Sequence, residues 1–123
     1  MNYGKNLREV YLIIREIEDC PIDKRIYLKE RLKEIEYTVL ELTPDCVIIS
    51  NEIINRGYLT EKSLDDCYHI SIAIKYSCDV LISWNFKHLV NVKTNRGVRA
   101  ITMIGGYKNL DIIDPITLLE MEV

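Results

Sequence analysis

Apolar residues at the start of the chain recur at the spacing of a helix face. They are Leu7, Val10, Ile13, Ile14 and Ile17. Intervals of three and four residues place side chains on one side of an α-helix, so the pattern predicts an amphipathic helix over residues 7–20. Pro21 ends this helix, because proline lacks the N–H that a helix interior needs. A second amphipathic helix is predicted over residues 22–35, where apolar residues are spaced among many Lys, Arg and Glu.

Beyond these two helices the pattern alternates between helices and short strands. The predicted elements are a strand at 37–42, helices at 44–56 and 63–78, a strand at 80–83, a helix at 92–104, a strand at 110–113 and a short helix after Pro115. Thr43 and Pro44 favour a helix start, as a hydroxyl N-cap followed by proline at the first helical position. Gly57 favours the end of that helix, because glycine accepts the left-handed conformation found there.

This alternation is typical of an α/β domain with a short, mostly parallel sheet flanked by helices. In such sheets, functional residues collect at the carboxyl ends of the strands. Trp84 and Asn85 directly follow the strand at 80–83, and Asp65 and Asp66 open the helix that precedes it. These positions are the first candidates for a site.

Length and composition are those of one globular domain. The chain has 123 residues, of which 48% are apolar and 28% are charged. Its uncharged apolar runs are too short to cross a bilayer, and no leader segment is recognised, so we expect no membrane association and a cytoplasmic location. The net charge of −3 argues against tight, indiscriminate binding of nucleic acid, but it is compatible with a nuclease that uses carboxylates. The four irregularly spaced cysteines match no zinc-site pattern and are predicted to be small buried apolar residues.

One segment resembles a known family. The string LDDCYHISIAIKYSCDVLISWNFKHLVNVKTNRGV, residues 64–98, resembles the C-terminal half of VapC-like PIN domains. That family has an Asp followed three residues later by His at a helix start, then a buried strand and a Ser/Thr-x-Asp/Asn turn. The corresponding residues here are Asp66, His69 and Ser83-Trp84-Asn85. Upstream, REIEDCP resembles the family's helix that bears its second acidic residue, which is Glu16 in this chain.

The resemblance implies a single PIN-like domain over residues 1–123 and metal-dependent hydrolysis of an RNA phosphodiester, as in toxin–antitoxin ribonucleases. It implies that Asp66 and Glu16 are ligands of Mg²⁺ or Mn²⁺, ions that prefer oxygen donors. It also implies that Asn85 holds a metal-bound water or the phosphate. The implied partners are RNA and an antitoxin-like protein.

The chain departs from the family pattern at its start. PIN domains open with a strand that ends in a metal-binding Asp, and no residue before Glu16 corresponds to it. We therefore expect a domain truncated at its N-terminus, without the first strand and the second, and with an incomplete metal site. Because missing strands leave unpaired edges, we also expect a homo-oligomer with Ile13 and Ile17 buried between chains.

Several of these residues also have an ordinary structural interpretation. Asp66 can stabilise its helix as a first-turn carboxylate, and Glu16 can be one of many charges on its helix. His69 is interpreted as a hydrogen-bonded core residue. Trp84 is interpreted as a packing residue, with base stacking as the alternative.

The only local basic cluster can be read in two ways. It consists of Lys87, Lys93, Arg96 and Arg99. On a helix the last three form one stripe, which can bind RNA through phosphates or can simply be a solvated face.

Two functions therefore remain open. One is a ribonuclease homologue with an incomplete active site. The other is a non-catalytic module that dimerises or binds an antitoxin-like partner. Whether the chain is an enzyme is left open by the sequence.

Overall fold

The computed structural model describes residues 10–34 and 37–121. The strands are β1 (Val10–Leu12), β2 (Val80–Ile82) and β3 (Asp111–Ile113). The α-helices are α1 (Ile14–Glu18), α2 (Ile22–Lys33), α3 (Pro44–Asn55), α4 (Leu64–Lys75), α5 (Val92–Gly105) and α6 (Pro115–Met121). A short 3₁₀ turn, Glu61–Ser63, precedes α4.

The sheet is small and entirely parallel. Its strand order is β1-β2-β3, with Val10 opposite Val80 and Val80 opposite Asp111. All three residues of β2 are buried. The uninterrupted apolar run of this segment predicted such a strand, covered on both faces of the sheet. The coarse prediction of an α/β domain with a parallel sheet is confirmed.

The core forms where α3, α4 and α5 cover the sheet. Ile53, Ile70 and Leu81 are almost fully buried and belong to one contiguous apolar cluster. The buried hydroxyls of Ser50 and Ser71, on the facing helices α3 and α4, lie 2.6 Å apart and share the Cys67 carbonyl. Polar groups in this interface are thus satisfied internally, which burial in an apolar core requires.

The predicted helix over residues 7–20 is wrong in its first part. Val10–Leu12 is a strand and the helix begins only at Ile14, while Leu7 lies outside the described residues. β-branched and aromatic residues fit a sheet better than a helix, and pairing with β2 decides the conformation of this run. The expectation that no strand precedes the Glu16 helix is therefore also wrong.

The predicted strand at 37–42 is wrong as well. Residues 37–43 have no regular structure, and Tyr37, Thr38 and Val39 are all exposed. A strand needs a partner for its hydrogen bonds, and within the described part of the chain this segment has none in the sheet. Its β-branched composition alone was not sufficient to form a strand.

The other predicted elements are confirmed with small shifts of their ends, and residue 35, the last of the predicted second helix, lies outside the described residues. The helix at 63–78 ends at Lys75, and Ser77 follows with a positive φ of 57°. Gly57 and Gly106 have the left-handed conformation that ends α3 and α5, with φ of 79° and 72°. The Thr43 hydroxyl, predicted to cap α3, instead lies 3.3 Å from the thiol of Cys46.

The described residues of the N-terminal third are far less buried than the rest. No residue of α2 is buried, and Ile22, Ile26 and Tyr27 are more than half exposed. Ile13 and Ile17, which we expected between chains, are instead buried inside this chain. None of the helices that the structure describes has both the length and the apolar character needed to span a bilayer.

Candidate functional site

The candidate site lies at the carboxyl edge of the sheet. β1 leads into α1, which carries Glu16, and β2 leads into the turn Ser83-Trp84-Asn85. Parallel strands end at the same edge, so these two segments meet there. Asp66 is in the first turn of α4, where the helix dipole favours a carboxylate.

Glu16 is bound directly to the turn after β2. The Ser83 hydroxyl donates to Glu16 Oε2 at 2.7 Å, and the Trp84 backbone N–H donates to Oε1 at 2.9 Å. Ser83 is fully buried, so its hydroxyl is a fixed donor. Both oxygens of Glu16 are thereby oriented by residues 67 and 68 positions away in the chain. Glu16 is therefore fixed against the turn after β2 and is not merely one charge on a solvated helix.

Asp66 is half-buried, and its setting disfavours its charge. Burial is the main cause that raises the pKa of Asp66, and the negative charges of Glu16 and Asp65 add to it. His88 and His69 act in the opposite direction. Asp65, in contrast, is exposed and faces Arg15 at 3.5 Å.

Asn85 uses its side-chain oxygen within its own turn. Asn85 Oδ1 accepts the His88 backbone N–H at 3.0 Å, and the Asn85 carbonyl accepts from Leu89 and Val90. Among the described residues, its Nδ2 group has no hydrogen-bond partner. An amide N–H₂ is a donor, so it suits a phosphate oxygen or a water better than a metal ion.

His69 is hydrogen-bonded, in agreement with its structural interpretation. Its Nδ1 lies 2.8 Å from the Tyr11 hydroxyl, which ties α4 to β1. Burial lowers the pKa of His69, and burial raises the pKa of Tyr11 to about 12. The pair is therefore neutral at physiological pH and holds α4 against the sheet beside Asp66.

Two features of the site were not indicated by the sequence pattern. The Trp84 side chain is 36% exposed and is therefore not buried in the core. Lys24 of α2 lies over its ring, with Nζ 4.8 Å from the ring centroid. Lys24 has no distinguishing spacing, since α2 is rich in charge throughout, and only the fold brings it to Trp84.

The predicted basic cluster lies on one exposed surface. Lys93, Arg96 and Arg99 recur every third residue of α5, and Lys87 lies in the loop before it. All four are exposed, and none forms an ion pair with a carboxylate in the described segments. Lys87 and Lys93 line one shallow depression with His88, and Arg96 and Arg99 line its neighbour. The surface is accessible to an anionic ligand.

The carboxylates fit the implied metal ion only in part. Mg²⁺ commonly takes one or two protein carboxylates and keeps several waters, which Asp66 and Glu16 can satisfy. Over residues 10–34 and 37–121, however, no three His, Cys, Asp or Glu side chains are grouped closely enough to hold a metal ion. The described part of the chain thus offers two carboxylates, Asp66 and Glu16, for the implied ion.

Comparisons with known proteins supply no relative. No family model matches the chain, and no curated protein or solved structure matches it.

Proposed function

We propose that this chain is a PIN-domain protein related to VapC-type toxin endoribonucleases. The observation that supports the proposal is the clamp of Ser83 and Trp84 on Glu16, with Asp66 beside it at the carboxyl edge of a parallel sheet. Fixing a carboxylate by two donors costs conformational freedom and contributes little to a core. Its benefit is a negative charge held in a defined place, as a metal-dependent hydrolase needs.

Each residue of the site has a chemical role in the proposal. Asp66 and Glu16 provide oxygen ligands, and the Ser83 hydroxyl and Trp84 N–H orient Glu16. Asn85 Nδ2 donates to a phosphate oxygen of RNA. When bound, Mg²⁺ or Mn²⁺ polarises the phosphodiester and makes water a stronger nucleophile. Tyr11 positions α4, and hence Asp66, through His69.

We expect weak turnover, because the resemblance implies a further metal-binding Asp at the end of the first strand, and no residue before Glu16 corresponds to it. Residues of one catalytic site act as a unit, so the loss of one ligand typically costs orders of magnitude in rate. The test is cleavage of a labelled single-stranded RNA by the purified chain in Mn²⁺. We expect slow cleavage that is abolished by Asp66→Asn and by Glu16→Gln.

Asp65→Asn is the matched control for this assay. It removes a neighbouring carboxylate that faces Arg15 at the surface, so cleavage should persist. Rapid cleavage that Asp66→Asn abolishes would show that the site is complete and that our view of its ligand set is wrong. Cleavage that survives both Asp66→Asn and Glu16→Gln would refute the proposed site.

A second candidate function is a non-catalytic interaction module that dimerises or binds an antitoxin-like partner. The observation in its favour is the exposure of apolar residues on β1, on α2 and in the segment 37–42. Apolar surface concentrated in one region is typical of a binding face. Complete absence of metal-dependent cleavage, together with stable self-association, would favour this function.

A further inference from the structure

Two large aromatic side chains face solvent at the candidate site. Trp84 is 36% exposed and Phe86 is 56% exposed, and they flank Asn85 on the turn after β2. Within the described residues, Tyr11 and Tyr58 are the aromatic side chains packed against the apolar core, and neither Trp84 nor Phe86 belongs to it. Trp84 and Phe86 therefore contribute less to the core than their size allows, which is typical of aromatic residues that bind a ligand.

The turn that presents them is fixed by many hydrogen bonds. The buried Ser83 hydroxyl accepts the Asn85 N–H at 2.9 Å, and the Phe86 N–H donates to the Trp84 carbonyl at 3.0 Å. The Asn91 side chain donates to the carbonyls of Phe86 and Lys87 at 3.3 and 3.1 Å. An ordered turn presents its aromatic rings without the entropic cost of ordering a loop on binding.

Cations accompany the aromatic rings. Lys24 Nζ lies 4.8 Å from the Trp84 ring centroid, and the exposed Lys87 directly follows Phe86. Lys24 lies over one face of the Trp84 ring, so a base would stack on the opposite face of Trp84 and on the Phe86 ring, with an ammonium group close to each ring. Such an arrangement complements a nucleotide, which presents a flat base and an anionic phosphate. The backbone N–H of Trp84 donates to Glu16 Oε1, so the turn that carries this ring is bound to one of the candidate carboxylates.

We propose that Trp84 and Phe86 bind unpaired bases of single-stranded RNA by stacking, while Lys24 and Lys87 contact adjacent phosphates. This inference rests on the proposed function and names its substrate as single-stranded. Bases within a duplex already stack on their neighbours, so they cannot cover these rings without being unpaired. Stacking also tolerates any base, since every base has an aromatic face.

The experiment uses the fluorescence of Trp84, which is the only tryptophan in the chain. The protein is titrated with a single-stranded oligouridylate and with an RNA duplex of equal length, both in EDTA so that no metal-dependent cleavage occurs. We expect the single strand to quench the fluorescence to saturation. The duplex should bind more weakly, by a factor of about ten or more.

Variants separate stacking from general attraction, with binding followed by the anisotropy of a labelled oligouridylate. Phe86→Ala and Trp84→Ala should each weaken binding about tenfold, and Trp84→Phe should restore most of the loss. Tyr76→Ala is the matched control, because Tyr76 is a 41% exposed aromatic at the opposite end of α4 from Asp66, and it should bind as the unmodified chain does. Circular dichroism checks that each variant is folded.

Two results would overturn the inference. One is equal quenching by the duplex, and the other is unchanged affinity in folded Trp84→Ala and Phe86→Ala variants. Both are measured without metal, so they stand apart from the cleavage assay. If the single strand quenches Trp84 fluorescence but RNA cleavage persists in Asp66→Asn, the proposed function is contradicted and the stacking site is still supported.

Discussion

At the scale of single residues, the surroundings of Asp66 disfavour its ionised form. Burial raises its pKa in the folded chain above the ordinary value of 3.8. The folded state therefore binds a proton more readily than the unfolded state does, and stability falls as the pH rises through the folded pKa. At neutral pH the ionised Asp66 lowers the free energy of unfolding, as is common for residues kept for function.

We therefore expect Asp66→Asn to raise the melting temperature at pH 7 while it removes metal-dependent activity. The gain should shrink as the pH falls toward 3.8, because Asp66 itself becomes neutral there. Asp65→Asn should not raise the melting temperature, since it removes an exposed ion pair worth at most about 1 kcal/mol. A lower melting temperature for Asp66→Asn at pH 7 would show that its ionised form stabilises the fold.

At the scale of elements, α5 approaches the core closely at Gly97. A Cβ at this position would lie 2.4 Å from Cγ of the Tyr58 ring, which packs against the core. A Cβ at Gly105, near the end of the same helix, would lie 2.6 Å from the Tyr107 ring, but Tyr107 is exposed and can move away. The two glycines are therefore a matched pair.

We expect Gly97→Ala to lower the free energy of unfolding by about 1–3 kcal/mol, the usual cost of overpacking. Gly105→Ala should be close to neutral, because relief of the clash needs only an exposed side chain to shift. Chemical denaturation of both variants measures the difference. Equal effects of the two substitutions would mean that Tyr58 also moves freely.

The exposed stripe of α5 carries a prediction about RNA. Charge reversal of Arg96 and Arg99 should weaken RNA binding and reduce the slope of log affinity against log salt by about 1.4, if each contacts one phosphate of a single strand. Lys33→Glu with Lys62→Glu makes the same change in net charge on other elements and should have a smaller effect. Unchanged binding after the first double substitution would identify the stripe as a solvated face.

The elements also show how far the sequence determines the fold. Helices α3, α4 and α5 were predicted because helical periodicity coincides with clear end signals such as Pro44, Gly57 and Gly106. Strand β1 was not predicted, because Val10–Leu12 fits both a helical and an extended pattern. Only pairing with β2 decides between the two conformations. Tertiary contacts of this kind are invisible in local spacing.

The candidate site residues Asp66, Asn85 and Glu16 were named from the resemblance, and their functional roles stay predictions. The structure adds that Glu16 is bound to the turn after β2 and that its charge contributes to the raised pKa of Asp66. The clamp on Glu16 and the position of Lys24 over Trp84 join residues that are far apart in the chain. Such contacts follow from the topology, so a single sequence without relatives does not reveal them.

At the scale of the whole molecule, burial is unequal between the two ends of the chain. Among the described residues up to position 42, the exposed large apolar side chains are Val10, Leu12, Ile14, Ile22, Ile26, Tyr27, Tyr37, Val39 and Leu42. Several of them line a groove beside β1, an edge strand of the described sheet. Edge strands and uncovered apolar faces both favour association.

We therefore expect the chain to form a dimer or a higher oligomer at micromolar concentration, as measured by light scattering. Ile26→Lys with Val39→Lys should shift it toward monomer, because charge opposes burial of this surface. Ile48→Lys with Met103→Lys changes exposed apolar residues elsewhere and should leave the oligomer unchanged. A compact monomer with a cooperative thermal transition would contradict this prediction.

The central claim is that Asp66 and Glu16 form one metal site, and Mn²⁺ binding tests it most directly. Electron paramagnetic resonance of Mn²⁺ titrated with the protein measures binding whether or not the chain turns over RNA. We expect one weak site in the unmodified chain, retained in Asp65→Asn and lost in both Asp66→Asn and Glu16→Gln. Mn²⁺ binding that is absent from the unmodified chain, or that is unchanged in Asp66→Asn and Glu16→Gln, would contradict the account.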